Sequence, residues 1–164
     1  MITKTLQQNS KRTPRFRFEQ FSSDWEEKTL GHIGKTYNGL TGKNASDFGS
    51  GEPFITYKQI FDKSEIDIEK FAFVKTEKGE KQNRAQFGDF FFTTSSETPE
   101  EVGFSSVLLN KSVQPYLNSF SFGFRPNSTQ EIDPYFAKYL FRNSMFRKEM
   151  VKLAQGSTRY NISK

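Results

Sequence analysis

Acid–base catalysis near neutral pH needs a group that titrates there, and His32 is the one histidine in this sequence. It stands between Gly31 and Ile33 with no partner recognisable from sequence, so a structural or surface role is the stronger reading. There is no cysteine, which removes a thiol nucleophile, a thiolate zinc site and any disulfide together. Four short stretches look like catalytic motifs, and each has a simpler account. Asp47-Phe48-Gly49 spells a kinase tripeptide without the strand lysine or catalytic loop that a kinase needs. Phe48-Gly49-Ser50-Gly51 has the composition of a methyltransferase glycine loop, yet no convincing strand pattern precedes it and no convincing helix pattern follows. Asp133-Pro134-Tyr135-Phe136 has one proline where the amino-methyltransferase motif has two, and it reads as a helix cap. Glu26-Glu27-Lys28 supplies the Glu-x-Lys half of a nuclease metal site, but residues 1–23 hold no Asp to act as the upstream ligand. What remains for catalysis is carboxylate-only chemistry, for which Asp89 and Glu97 are the natural pair.

Binding chemistry is better supplied. The formal charge of +5 is uneven: residues 1–28 carry six basic and four acidic groups, residues 29–132 eleven and thirteen, and residues 133–164 seven and two. The C-terminal surplus is either a footprint for a polyanion or a solvated helix face, and charge alone does not choose. Lys138, Arg142, Lys148, Lys152 and Arg159 are the candidates for holding phosphates and fixing register. The polar loops 37–44 and 93–98 offer donors and acceptors that suit base edges, with Lys43, Asn44, Ser95 and Ser96 as candidate nucleic-acid contacts and Tyr57 and Lys58 as two more outside those loops. Turn formation and capping account for the same Asn and Ser residues equally well. Abundant Phe and Tyr also suit a protein that stacks single-stranded bases on exposed rings.

These residues must be positioned by something, and the length and patterning predict one domain made of several short strands and at least one helix. Hydrophobic residues are only 34 % of the chain and mean hydropathy is −0.74. The 19 phenylalanines offset that shortage, because each ring buries far more area than a Val would. Residues 1–13 read as a mobile leader, and folding is expected to begin near Phe21. Trp25, Leu30 and Ile33 mark a short amphipathic stretch, and the glycines between Gly39 and Gly51 mark a long irregular loop. Runs at 54–57, 71–75, 90–94, 104–109 and 119–124 are aromatic or β-branched, bounded by turn residues, and read as strands. One long helix is expected over 134–155, capped by Asp133, with Pro134 at its first position and Gly156 just past its end. Its spacing places Tyr135, Phe136, Tyr139, Leu140, Phe146, Met150, Leu153 and Ala154 on the core side, and leaves Phe141 and Met145 on the basic side. No signal core follows Met1 and no apolar run reaches membrane-spanning length, so a soluble cytoplasmic protein with no membrane partner is expected.

Four segments together resemble the specificity subunits of type I restriction-modification enzymes. Phe21-Ser22-Ser23-Asp24-Trp25-Glu26 with Leu30-Gly31-His32-Ile33 is similar to the family's opening signature, in which an acidic residue often stands where this chain has His32. Asn38-Gly39-Leu40-Thr41-Gly42-Lys43 with Phe54-Ile55-Thr56-Tyr57 resembles the opening of its recognition domains. Gly88-Asp89-Phe90-Phe91-Phe92-Thr93-Thr94-Ser95-Ser96-Glu97-Thr98-Pro99-Glu100-Glu101 is similar to a recurring strand and loop. Ala154-Gln155-Gly156-Ser157-Thr158-Arg159-Tyr160-Asn161-Ile162-Ser163 resembles the junction with a helical spacer.

The resemblance covers residues 14–164 in order and spacing. It implies a DNA target-recognition domain at 14–156, of α+β class with a mixed or curved sheet of short strands and packed helices, and 157–164 starting the junction to a helical spacer. Such a domain reads one half of a split site in double-stranded DNA, in the major groove, and is not itself a catalyst. The implied partners are methyltransferase (modification) subunits, which flip and methylate adenine, and a motor-nuclease (restriction) subunit. S-adenosylmethionine, ATP and Mg2+ are expected on those subunits, with no cofactor in this chain. A full specificity subunit has two recognition domains, so one domain is expected here, either excised or encoded by a truncated gene.

Overall fold

The computed structural model describes residues 18–20, 22, 24 and 26–163. The expected leader over 1–13, Phe21 and Trp25 lie outside the described residues. The chain divides into two units, one up to His32 and one from Ile33 onward. In the first, Glu26 and Lys28 form an ion pair at 3.2 Å, and the His32 amide donates to the Thr29 carbonyl at 3.0 Å. The expected amphipathic stretch amounts to one helical turn, α1 (Leu30–Ile33).

The second unit is built on a four-stranded antiparallel sheet. Its strands are β1 (Gly34–Asn38), β4 (Phe90–Thr93), β6 (Ser105–Val107) and β8 (Ser121–Pro126), in the order β1-β8-β4-β6. Three consecutive phenylalanines are possible in β4 because both faces of this sheet are covered. Phe90 and Phe92 point to one side, where Phe122, Phe124, Val107, Ala137, Phe141 and Met150 meet them. Phe91 points to the other, among Ile55, Ile60, Leu108 and Leu117. Gly123 lies opposite Tyr37 in the pairing of β1 with β8, and a Cβ there would run into the Tyr37 ring. A glycine is therefore what lets that ring lie flat over the sheet.

A second sheet, of order β3-β2-β7, joins β2 (Phe48–Ile55), β3 (Ala72–Val74) and β7 (Tyr116–Leu117). Residues 48–51, within the stretch expected to be irregular, begin β2, and the pairing explains the misreading. Phe48 and Glu52 both face Val74, so the intervening residues bulge out. Gly49 and Gly51 sit at φ of 107° and 105°, which favours glycine. A two-stranded ribbon of β5 (Ser95–Ser96) with β9 (Tyr160–Asn161) brings the chain's last segment beside the loop after β4. Tyr57, read as the end of a strand, instead opens helix α2 (Tyr57–Asp62), capped by Thr56.

The expected helix over 134–155 is two helices, α3 (Pro134–Leu140) and α4 (Ser144–Leu153). Asp133 caps α3 through the amides of Tyr135 and Phe136, as its position suggests. Asn143 causes the break: its Oδ1 accepts from the Phe146 amide and its Nδ2 donates to the Leu140 carbonyl, so one side chain ends α3 and starts α4. The break changes which side faces inward. Phe141 is buried to 2 % exposure, with ring centroids 5.1 Å from Phe90, 5.3 Å from Phe92 and 4.9 Å from Phe146. Tyr135, Phe136, Tyr139 and Leu153, expected in the core, are exposed.

Candidate functional site

Two places gather the polar residues that sequence singles out. The first is a loop cluster made by residues 38–51 and 75–84. Lys43 Nζ meets Glu80 Oε2 at 2.6 Å, and the Thr41 amide and carbonyl bond the Gln82 side chain at 3.1 and 2.8 Å. Asn83 Nδ2 donates to the Asn38 carbonyl at 3.1 Å, and the Lys75 amide to the Asp47 carbonyl at 2.7 Å. The Lys43 ammonium, aided by Gln82 and the Glu77 amide, pulls the Glu80 carboxyl down to a pKa of about 2. Lys43 is thus turned inward, its side chain 9 % exposed, and ties the two loops together. Asn44 caps a 3-10 turn, its Oδ1 accepting from the Ser46 amide at 3.0 Å and the Ser46 hydroxyl at 2.6 Å. Around this frame Thr41, Ser46, Ser50, Lys75, Lys78 and Lys81 are exposed. The lysines of residues 75–81 stand close together in sequence on a loop that the ties above hold in place. Sequence reasoning passed over them because their neighbours Glu77 and Glu80 cancel the local charge count; Glu80 is engaged by Lys43.

The second is a cleft of about 380 Å³ beside the β5/β9 ribbon. Tyr57 and Phe61 of α2 stack at 6.0 Å and 19° on one wall, and Phe120 stands at the rim, 62 % exposed. Tyr57 Oη donates to the Ser95 carbonyl at 2.7 Å, and burial pushes its phenol pKa up. Ser96 Oγ donates to Glu101 Oε2 at 2.8 Å, and Arg159 Nε donates to Ser95 Oγ at 2.7 Å. Tyr57, Ser95, Ser96 and Arg159, far apart in sequence, therefore share one cleft, with Glu97 and Glu101 also lining it. The two serines are only 7 % exposed, so they are floor rather than protruding readers.

The solved structures with which the chain can be compared add the fold-level evidence. The S subunit of the type I restriction-modification system from M. genitalium superposes with a TM-score of 0.51 at 13% identity, over 99% of this chain and 34% of that one. The chain carries the fold of that S subunit. A structure described as the basis of complex assembly and conformational transition of the type I R-M system gives 0.46 at 16% identity, over 74% of this chain and 30% of that one. The HsdS subunit from Thermoanaerobacter tengcongensis gives 0.48 at 15%, over 81% and 31%. This chain spans about a third of the length of each. The sequence matches no family model and no curated protein.

On this S-subunit fold the C-terminal cations are largely committed to folding. Arg142 donates to the carbonyls of Ser105 and Ile60 at 2.6 Å and of Phe61 and Lys63 at 2.9 Å, and burial lowers its pKa. Those of Ile60 and Phe61 belong to the last turn of α2, whose end carbonyls need partners from outside the helix, and Lys63 is its C-cap. Arg147, also pushed down by burial, likewise serves the Glu100, Val102 and Gly103 carbonyls. Lys138 pairs with Glu65 at 3.1 Å, Lys152 with Glu149 at 2.6 Å and Lys58 with Asp62 at 2.8 Å. Lys148 stays exposed. An open groove of about 740 Å³ beside α2 carries Asp62, Glu65 and Asp67, whose charges are met by the lysines 58, 138 and 63.

Asp89 is not among the residues lining the cleft that holds Glu97. Its side chain is 2 % exposed and accepts from Arg125 Nε at 2.9 Å, Arg125 Nη2 at 2.7 Å, Tyr37 Oη at 2.7 Å and the Gln86 amide at 2.9 Å. The Arg125 guanidinium is raised in pKa by this carboxylate, and the Tyr37 phenol is pushed far up by burial and by the same charge. The triad ties β1 and β8 to the start of β4. Among the described residues no group of three or more acidic or histidine side chains is placed to hold a metal. Among them, too, no helix is long and apolar enough to cross a membrane.

Proposed function

We propose that this chain is a sequence-reading domain for double-stranded DNA, serving one half of a split site within a type I restriction-modification system. The observation that carries this reading is the S-subunit fold across 99% of the chain, an argument by analogy of fold. The loop cluster supports it physically. Lys75, Lys78 and Lys81 are placed to meet phosphates, while Thr41 and Ser50 offer hydroxyls to base edges. Asn44 serves as a donor only, because a bidentate contact to adenine needs its Oδ1, which the cap already uses. Arg142 and Lys138 are left out of the phosphate contacts, since their donors serve the fold, whereas Lys152 keeps an exposed ammonium beside Glu149. Chemistry, with S-adenosylmethionine, ATP and Mg2+, would belong to modification and restriction subunits, in a cytoplasmic complex.

Exposed Tyr135, Phe136 and Tyr139 favour a second reading, a single-strand binder that stacks bases. One competition experiment separates the two. The purified chain is offered duplexes from a randomised split-site library against the same sequences as single strands, with Mg2+ present. Enrichment of one duplex motif, with a log–log salt slope of about −3 from roughly three phosphates, supports duplex reading. Preference for single strands overturns it, and cleavage or methylation by the purified chain would place catalysis in these residues.

A further inference from the structure

The cleft beside β5 and β9 is not explained by packing. An aromatic wall, a buried polar floor and an exposed Phe120 at the rim surround space within the range of small-ligand sites. Among the described residues, three of the donor and acceptor groups around it keep atoms without a hydrogen-bond partner. Arg159 uses Nε on Ser95, which leaves its two terminal nitrogens. Glu101 uses Oε2 on Ser96, which leaves Oε1, and Glu97 is exposed. Two carboxylates against one guanidinium make the cleft inhospitable to a phosphate. They suit a neutral planar ring that offers N–H donors to a carboxylate and an acceptor to a guanidinium, while its face lies on an aromatic side chain.

We propose that this cleft binds one unstacked nucleobase, guanine in preference to the other three, between the Tyr57/Phe61 wall and Phe120. Guanine alone among the four pairs adjacent N1–H and N2–H donors with O6 and N7 acceptors. A carboxylate of Glu101 or Glu97 takes the donors and Arg159 takes the acceptors. The inference extends the nucleic-acid reading, but it concerns a different part of the surface from the lysine loop, so each can fail alone.

The test is a 1H–15N titration of the full chain with dGMP, dAMP, dCMP and dTMP, and with inorganic phosphate as control. Saturable shifts at the amides of Ser95, Ser96, Glu101 and Arg159 with dGMP, at least tenfold tighter than with the others and absent with phosphate, are expected. Phe120→Ala, at an exposed position, should weaken dGMP about tenfold by removing a stacking face. Glu101→Gln still accepts from Ser96 and should lower the preference for dGMP. Equal responses to all four nucleotides, a response to phosphate alone, or shifts confined to residues 75–84 would overturn the proposal. Lys75→Ala/Lys78→Ala/Lys81→Ala should leave the dGMP response unchanged. Loss of duplex binding in that variant with the cleft response intact would show that the two sites are independent.

Discussion

Replacing Arg142 by alanine separates a structural role from a phosphate contact. Its guanidinium reaches four carbonyls at 2.6–2.9 Å, binding the turn between α3 and α4 to β6 and to the end of α2. Hydrogen bonds from a charged donor contribute about 1.5–3 kcal/mol each. Water can replace the one at Lys63, which is exposed, but not those at Ser105 and Ile60, which are 3 % and 0 % exposed. Two unreplaced bonds give an expected loss of about 3–6 kcal/mol for Arg142→Ala, against a typical total stability of about 5–15 kcal/mol. Arg142→Lys keeps the charge but cannot span three directions, and should lose about half as much. Urea unfolding followed by far-UV circular dichroism measures both. A surface phosphate contact would predict a change within about 0.5 kcal/mol. If Arg142→Ala unfolds within that margin of the parent chain, the clasp is refuted.

Phe141→Ala should destabilise by about 3–5 kcal/mol through the cavity left among Phe90, Phe92 and Phe146, whereas Tyr139→Ala, 64 % exposed, should change stability by less than about 0.5 kcal/mol; thermal unfolding compares them. Glu80 has its pKa lowered from 4.5 to about 2 in the folded chain, so the stability it contributes is present above pH 4.5 and is lost as pH falls toward 2. Carboxyl NMR titration should show that low midpoint, and Lys43→Ala should return it toward the usual range. Lys75→Ala, Lys78→Ala and Lys81→Ala together should weaken duplex binding for all sequences alike and flatten the salt slope by up to about 2.7, read by fluorescence anisotropy at several salt concentrations.

Much of the fold was legible in short aromatic runs. Residues 90–94, 104–109 and 119–124 read as strands, and β4, β6 and β8 lie there because ring-rich stretches bounded by turn residues have few other ways to bury themselves. Strands β5, β7 and β9 have two residues each, too few to show any period. β1 escaped because Gly-Lys-Thr-Tyr-Asn has an exposed edge and little apolar alternation. The long-helix expectation failed at Asn143, since a periodicity count averages over a cap that resets the phase, and this moved Phe141 inward and Tyr135, Phe136 and Tyr139 outward. For the site, residue type singled out Tyr57, Ser95, Ser96 and Arg159, but only the pairing of β5 with β9 and the Tyr57 bond to the Ser95 carbonyl bring them together. Arginine on a helix reads as basic surface from sequence. Whether its donors face water or a neighbouring helix end depends on contacts as distant as Arg142 to Ile60, which no local pattern encodes.

The claim that this chain reads one half of a split site is tested most directly by grafting residues 14–164 in place of one recognition domain of a full-length type I specificity subunit. Methylation by the reassembled enzyme is then mapped on a random-site library. The account predicts that one half of the target changes and the other half stays as it was. A hybrid that assembles and methylates with both halves of the original target intact would contradict it.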